Sequence, residues 1–244
     1  NMKTKIGLSG AVLKWIAIGI MAIDHLGAVI LEAYVLNAWG GSPLGSRFAA
    51  NWNEIYQFDK ILRGIGRLAF PMFCFLLVEG FVHTKNVAKY AIWLGIFALL
   101  SEIPFDFALH ITPWYWEHQN VYFTLLLGLF TLYVIKYFQE IPLMQMAAAL
   151  AGMCLAELLH VDYGYFGVLL IVALYVLRPW RLLQCIAGAA LCAWEHTAVL
   201  AYLLLFFYNG TRGRQPKWFF YWFYPVHLIV YILIGMYVLP AIFL

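Results

Sequence analysis

The sequence predicts an all-α fold, a polytopic transmembrane bundle built as a single membrane domain over residues 1–244. Three observations carry this. Of the 244 residues, 65% are hydrophobic and 11% charged, with a mean hydropathy of +0.82, whereas soluble domains carry about 25% charged residues. Apolar runs near the length of a bilayer crossing, about 20 residues, recur from end to end. Aromatic residues make up 18% of the chain, which suits Trp and Tyr belts at membrane–water interfaces. No polar stretch is long enough for a soluble domain. The net charge of +3 reflects basic loops and says nothing of nucleic acid.

Taken in order, the apolar runs suggest about nine spans, several shorter than a standard crossing. Lys3 and Lys5 precede the first, about Leu8 to Val35. It runs past Asp24 and His25 without a small-x-small cleavage site, so it reads as an uncleaved span. The polar stretch that follows, with Gly40, Gly41, Pro43, Asn51 and Asn53, is the longest non-membrane segment. The second span, Arg63 to Lys85, reads RGIGRLAFPMFCFLLVEGFVHTK, with Pro71 as an expected kink. Arg63 and Arg67 are four apart, as are Glu79 and His83, so each pair shares a helix face. Ionisable groups at membrane depth are costly unless paired or hydrated, which marks this helix as functional.

The third span runs from Val87 to about Leu109 and contains SEIPFD, where Pro104 is expected to kink or end the helix. The fourth covers Val121–Phe138, the fifth about Leu143–Leu159, the sixth Tyr163–Leu177. Leu182 to Phe207 is long for one span and short for two. The last span starts near Trp218 and reaches the C-terminus. The four cysteines, Cys74, Cys154, Cys185 and Cys192, fall in apolar segments without metal-like spacing and read as buried thiols.

Charge orients the bundle, because cytoplasmic loops are enriched in Lys and Arg. Lys3, Lys5, Lys85, Lys89, Lys136, Arg178, Arg181, Arg212, Arg214 and Lys217 mark inside segments. The basic loops at Arg178–Arg181 and at Arg212–Lys217 need an even number of crossings between them. A short helical hairpin turning at Glu195-His196, spanning or re-entrant, meets that condition. The chain is then N-inside and C-outside.

This topology sorts the polar residues into two levels. The outer one holds Asp24, His25, Arg63, Arg67, Glu102, Asp106, His118, Gln119, Asn120, Glu157, His160, Asp162, Glu195 and His196. The inner one holds Glu79, His83, Arg212, Arg214, Lys217, Tyr224 and His227. The loop NGTRGRQPK suits phosphate, through approachable backbone N–H groups and Arg forks, or serves topology alone. A His beside a carboxylate is a natural general base. Adjacent helical residues point about 100° apart, so Asp24 does not orient His25; Glu102 or Asp106 is the expected partner. Glu157-x-x-His160 has di-metal spacing in a single copy and reads as a structural loop, while Glu195 and His196 read as solvated.

DHLGAV, GRLAFPMFCFLLVEGFVHTKN, SEIPFDFA, QNVYFTLLLG, YGYFGVLL and YNGTRGRQPKWFFYWFYPVHL together resemble the TraX-like family over nearly the whole chain. The resemblance implies an integral-membrane acyltransferase of the bacterial inner membrane. The family is named for a conjugative-pilin acetylase that uses acetyl-CoA on the N-terminal amine of pilin. Related membrane acyltransferases carry a functional His in the first span, here His25, and FYPVHL with His227 resembles the closing motif. Many family members serve no pilus, so the acceptor stays open between a peptide amine and a small-molecule amine or hydroxyl.

The expected site follows. His25 is the base with Asp24, Glu102 and Asp106 beside it, while Arg63, Arg67, Gln119, Asn120 and Asp162 receive the acceptor from outside. Arg67 or Asn120 would stabilise the oxyanion. Arg212, Lys217, Glu79, His83, Tyr224 and His227 would hold acetyl-CoA from inside, and no metal is expected. The alternative is a transporter or flippase with the outer polar cluster as its path.

Overall fold

The computed structural model describes residues 7–38 and 40–244. Lys3 and Lys5, on which the inside N-terminus partly rested, lie outside the described residues. Among those described there are helices and two isolated bridges, Leu8–Tyr208 and Gln119–Val161, but no strand.

Helix α1 (Gly10–His25) begins at Ser9, whose hydroxyl accepts from the Val12 N–H at 3.3 Å. It continues as a wider π-helical stretch, Leu26–Val35. Such widening is frequent at functional sites, and here it starts one residue after His25. Helix α2 (Trp52–Gly66) occupies part of the segment expected to be irregular, because Ile55, Phe58, Leu62 and Ile65 recur at three- and four-residue steps and give it an apolar face. The expected second span therefore divides at Arg67–Leu68 into α2 and α3 (Ala69–His83). Pro71 falls in the first turn of α3, where a missing N–H costs nothing, so the bend precedes it.

Helix α4 (Val87–His110) is capped by Asn86 and continues through Pro104, ending at Ile111 in a left-handed conformation with φ 55°. Of the two outcomes expected at Pro104, a kink or an end, the helix does not end there. Helices α5 (Val121–Tyr137), α6 (Pro142–Leu158) and α7 (Gly164–Val176) form a packed set beside it. Helix α10 (Lys217–Leu233) packs along α4 and against α1 and extends through Ile234–Val238 into α11 (Leu239–Phe243).

Five helical stretches are long and apolar enough to cross a membrane: Gly10–Val35, Ala49–His83, Val87–His110, Arg181–Phe206 and Lys217–Phe243. Helices α5, α6 and α7 are apolar and shorter. Arg181–Phe206 is not a straight rod. It comprises α8 (Arg181–Leu191), a tighter stretch Cys192–Leu200 broken at His196 (φ 48°, ψ −74°), and α9 (Ala201–Phe206). A straight helix would hold Gly188 and Tyr202 about 21 Å apart. Instead the Tyr202 ring occupies the space a Cβ on Gly188 would need, and its hydroxyl lies 3.4 Å from Cys192 Sγ. The segment folds back on itself as a hairpin whose tip carries Glu195 and His196.

Helix length sets the depth of the polar groups. At 1.5 Å per residue α7 is about 20 Å long and α4 about 36 Å. Asn120 caps the start of α5, Asp162 just precedes α7, and Glu195 sits at the hairpin tip. Short helices thus end within the span of their long neighbours and bring polar termini to a shared depth. The opposite end is basic. There Arg178 and Arg181 pair with Glu79, Lys136 lies over Phe81, and the 209–212 loop caps α1, with Thr211 and Arg212 carbonyls accepting from Gly10 and Ala11 N–H at 2.8 Å. Cys74, Cys185 and Cys192 are buried as expected, whereas Cys154 on the outer helix α6 is exposed.

Candidate functional site

Two helices meet at a pair of buried imidazoles. His25 closes α1 and His227 lies on α10, and each is less than a tenth exposed. His25 Nδ1 is 2.6 Å from His227 Nε2, and His227 Nδ1 is 2.7 Å from the Phe223 carbonyl oxygen. A carbonyl oxygen only accepts, so His227 Nδ1 carries a hydrogen and, in the neutral ring, Nε2 does not. His227 Nε2 then accepts from His25 Nδ1–H, which leaves the His25 Nε2 lone pair unprotonated. The two sequence levels had separated these residues, and a carboxylate was the expected orienting partner of His25. The orienting partner is His227, because α10 crosses α1 at this depth. Tyr224, one turn earlier on α10, stands edge-on to both rings, with centroids at 5.7 and 5.8 Å.

Beside the pair runs a cavity of about 90 Å³ between α1, α3, α4, α5 and α10. Lys14, Ile18 and Met21 line it, with Tyr90, Tyr122 and Tyr224 among the facing residues. Lys14, Ile18, Met21 and His25 follow the four- and three-residue steps of one helix face, so α1 presents Lys14 and His25 to the same side. The Lys14 Nζ sits 4.8 Å from the Phe220 ring centroid, and its charged neighbours are Arg212 and Lys217.

An acidic and basic band borders the imidazoles. Arg63 bridges Asp24 at 2.6 Å and Glu32 at 3.3 Å. Buried Asp59, 2% exposed, lies close to Glu32. Gly66 is required here, since the Asp24 carboxylate fills the position of a Cβ. Arg67 pairs with the buried Glu195 at 3.0 Å, so Glu195 is not solvated as expected; His196 is exposed. Thr197 also donates to the Gly64 carbonyl at 2.6 Å, pinning the hairpin tip onto α2. Asp162 lies within electrostatic range of Asp24, Glu195 and Tyr224 and so joins the band to the imidazole pair.

Glu102 and Asp106 serve elsewhere. The Asn120 amide donates to Glu102 and to the Ala98 carbonyl, at 2.8 Å for the latter, while its oxygen caps α5 through the Tyr122 N–H at 3.0 Å. Both Asn120 amide hydrogens are thereby used, so Asn120 does not offer the oxyanion donor expected of it. Asp106 accepts from the Tyr115 N–H at 2.8 Å. Gln119 donates from its side chain to the Trp116 carbonyl, and its backbone exchanges hydrogen bonds with His160 and Asp162. His118 Nε2 lies 3.2 Å from Asp162 Oδ1. Burial lowers the His118 pKa, but the hydrogen bond and charge of Asp162, helped by Glu102 and Asp106, outweigh it and leave it above the ordinary value. These residues brace the 111–120 connector. Glu157 accepts from the Tyr165 N–H at 3.3 Å, a loop role as expected.

Glu79 and His83 do not reach the cavity. The Glu79 carboxylate takes a bidentate pair from Arg178, at 2.8 and 3.1 Å, with Arg181 at 4.0 Å, and His83 Nδ1 is 2.8 Å from the Glu79 carbonyl oxygen. Hydrogen bonding to Glu79 holds the Arg178 pKa above its usual value. Burial, then the charge of Glu79, pushes Tyr208 up to about 12. This is a clamp joining α3 to the α7–α8 turn. Among the described residues no group of three or more His, Cys, Asp or Glu is arranged to hold a metal ion.

Sequence reasoning passed over Lys14, Glu32 and Asp59. Lys14 carried a signal, a lone ammonium one turn inside an otherwise apolar span. Asp59 and Glu32 had none, since their meeting depends on how α2 folds back along α1.

The sequence profile of a family described as "TraX protein" matches residues 9–235. The chain is 28% identical over 257 residues to "Probable fimbrial assembly protein FimC, serogroup H1" of Dichelobacter nodosus, covering 93% of this chain and 96% of that protein. No solved structure matches.

Proposed function

Because the chain belongs to the TraX family and is a membrane protein with several apolar helices of crossing length, we propose that it is an acyltransferase moving an acetyl group from acetyl-CoA to an amine or hydroxyl. The observation that carries this reading is the His25–His227 pair: a neutral, buried imidazole with Nε2 free and Nδ1 held by a second ring. That is the state a general base needs, and the orientation comes from a fixed hydrogen bond.

By the chemistry of its lining, the cavity suits the donor. Its lining is apolar and tyrosine-rich, Tyr224 joins it to the imidazoles, and Lys14, with Arg212 and Lys217 as charged neighbours, supplies cations suited to a nucleotide's phosphates. When bound, acetyl-CoA supplies a thioester whose C–S bond gives way as the acceptor's nitrogen or oxygen bonds to the acetyl carbon. His25 Nε2 takes the acceptor's proton and passes it to the departing CoA sulfur, which leaves as the thiol, while His227 Nε2 keeps accepting from His25 Nδ1–H and so disperses the imidazolium charge. Arg67 and Arg63 keep the acidic band ordered, and Tyr224 closes the site against water.

Gathering of the basic residues at one end supports a cytoplasmic donor side and an extracytoplasmic acceptor side in the bacterial inner membrane. The relative's name attaches that protein to fimbrial assembly, so the N-terminal amine of a fimbrial subunit is the first acceptor to test. The experiment is CoA release by purified protein given acetyl-CoA and candidate acceptors. Turnover lost in His25→Ala supports the reading, and an equally active His25→Ala sinks it.

A further inference from the structure

We propose that Lys14 binds the phosphate of the acyl donor, so that the cavity measures the separation of a phosphate from a thioester. This rests on the acyltransferase reading and adds to it the chemical class of the donor handle: an acyl thioester on phosphopantetheine, read by its phosphate.

Three observations converge on Lys14. Its side chain lines the cavity that ends at Tyr224, whose ring meets His25 and His227. Its charged neighbours, Arg212 and Lys217, are both cations, and no carboxylate among the described residues forms an ion pair with it. Uncompensated positive charge on a membrane-embedded helix is costly, and an anion would relieve it. The third observation is distance. Eleven residues separate Lys14 from His25 on one helix face, about 16 Å at 1.5 Å per residue. From phosphorus to sulfur a phosphopantetheine arm has roughly 13 bonds, about 15 Å at the advance per bond of an extended chain. With the phosphate on Lys14, the arm's thioester end comes level with His25. The wall between carries the hydroxyls of Tyr90, Tyr122 and Tyr221, suited to an arm that alternates methylenes with amides.

An anionic lipid headgroup offers the same phosphate chemistry, and the test separates the two sources. Full-length protein in neutral detergent is titrated calorimetrically with CoA, 4′-phosphopantetheine and pantetheine. The variants are Lys14→Met, Lys14→Arg and, as a control at the end of α5, Lys136→Met. Wild type should bind both phosphorylated probes at least about tenfold more tightly than pantetheine, the step that about 1.4 kcal/mol confers. Lys14→Met should abolish that preference and leave pantetheine binding unchanged. Lys14→Arg should keep most of it, and Lys136→Met all of it. Methionine keeps the length of the side chain and removes a charge from the membrane, so a folded variant is expected, with its melting temperature as the check. A Lys14→Met protein that prefers the phosphorylated probes as wild type does overturns the proposal. Phosphatidylglycerol displaced from wild type but not from Lys14→Met, with equal CoA affinities for both, assigns Lys14 to a lipid and also overturns it. Wild type that binds none of the three probes, though folded, removes the acyl-donor reading itself and this proposal with it.

Discussion

His25 and His227 lie 202 positions apart in the chain, yet their ring nitrogens approach to 2.6 Å. The Phe223 carbonyl decides which nitrogen of His227 carries hydrogen, and His227 in turn decides the tautomer of His25. A backbone carbonyl of α10 thus sets the protonation of a side chain on α1. Replacing His227 by Ala should leave His25 in place but free to rotate and to exchange tautomers. Since a positioned acid–base group contributes about 10²–10⁴-fold, losing its orientation should lower kcat of CoA release with little change in KM. A fall in KM-dependent binding with kcat intact would assign His227 to the donor site instead.

The Glu79–Arg178 clamp separates a structural role from a binding role. Glu79 is 5% exposed and receives both forks of Arg178. Glu79→Ala leaves a guanidinium without its partner, a change that costs about 3–5 kcal/mol when a buried pair is broken. Arg178 is partly exposed, so the lower part of that range is expected. The melting temperature in detergent should fall by several degrees while CoA affinity of the folded fraction stays unchanged. A selective loss of CoA affinity without loss of stability would return Glu79 to the donor site.

His118 gives a pH signature outside the spans. Its pKa is raised in the folded protein, with Asp162 as the principal stabiliser of the charged ring against burial. A group with a raised folded pKa contributes stability that is fully present below the unfolded value, about 6.5, and is lost as pH rises through the folded value. Thermal stability should therefore decline as pH rises above the unfolded value of about 6.5, through deprotonation of His118. Asp162→Asn should flatten that decline. An undiminished pH dependence in Asp162→Asn would show that another group controls it.

Much of the fold was legible along the chain because hydropathy and charge are local properties. The apolar runs marked α1, α3, α4, α5, α6, α7 and α10 within a few residues, and the two flanking basic loops required the hairpin at Glu195-His196. What was not legible has a common cause. The start of α2 escaped notice because its apolar residues are few and spaced around one face. That α4 continues past Pro104 was not legible, because its outer end is held by Asn120 and by the 111–120 connector, through bonds made after the helices pack.

The sequence by itself determined that this is an apolar helical bundle with polar residues set among its apolar runs, that His25 and His227 belong to motifs, and that most basic residues of the loops, Arg47 and Lys60 apart, fall in alternate connections. Hydropathy, spacing and composition suffice for that, since each is read within a turn or a span. Only the tertiary structure decided partners: His227 for His25, Glu195 for Arg67, Arg178 for Glu79, and the cavity that Lys14 lines. A buried polar group takes whichever partner the crossing helices bring within about 3 Å, and those crossings depend on packing between segments far apart in the chain.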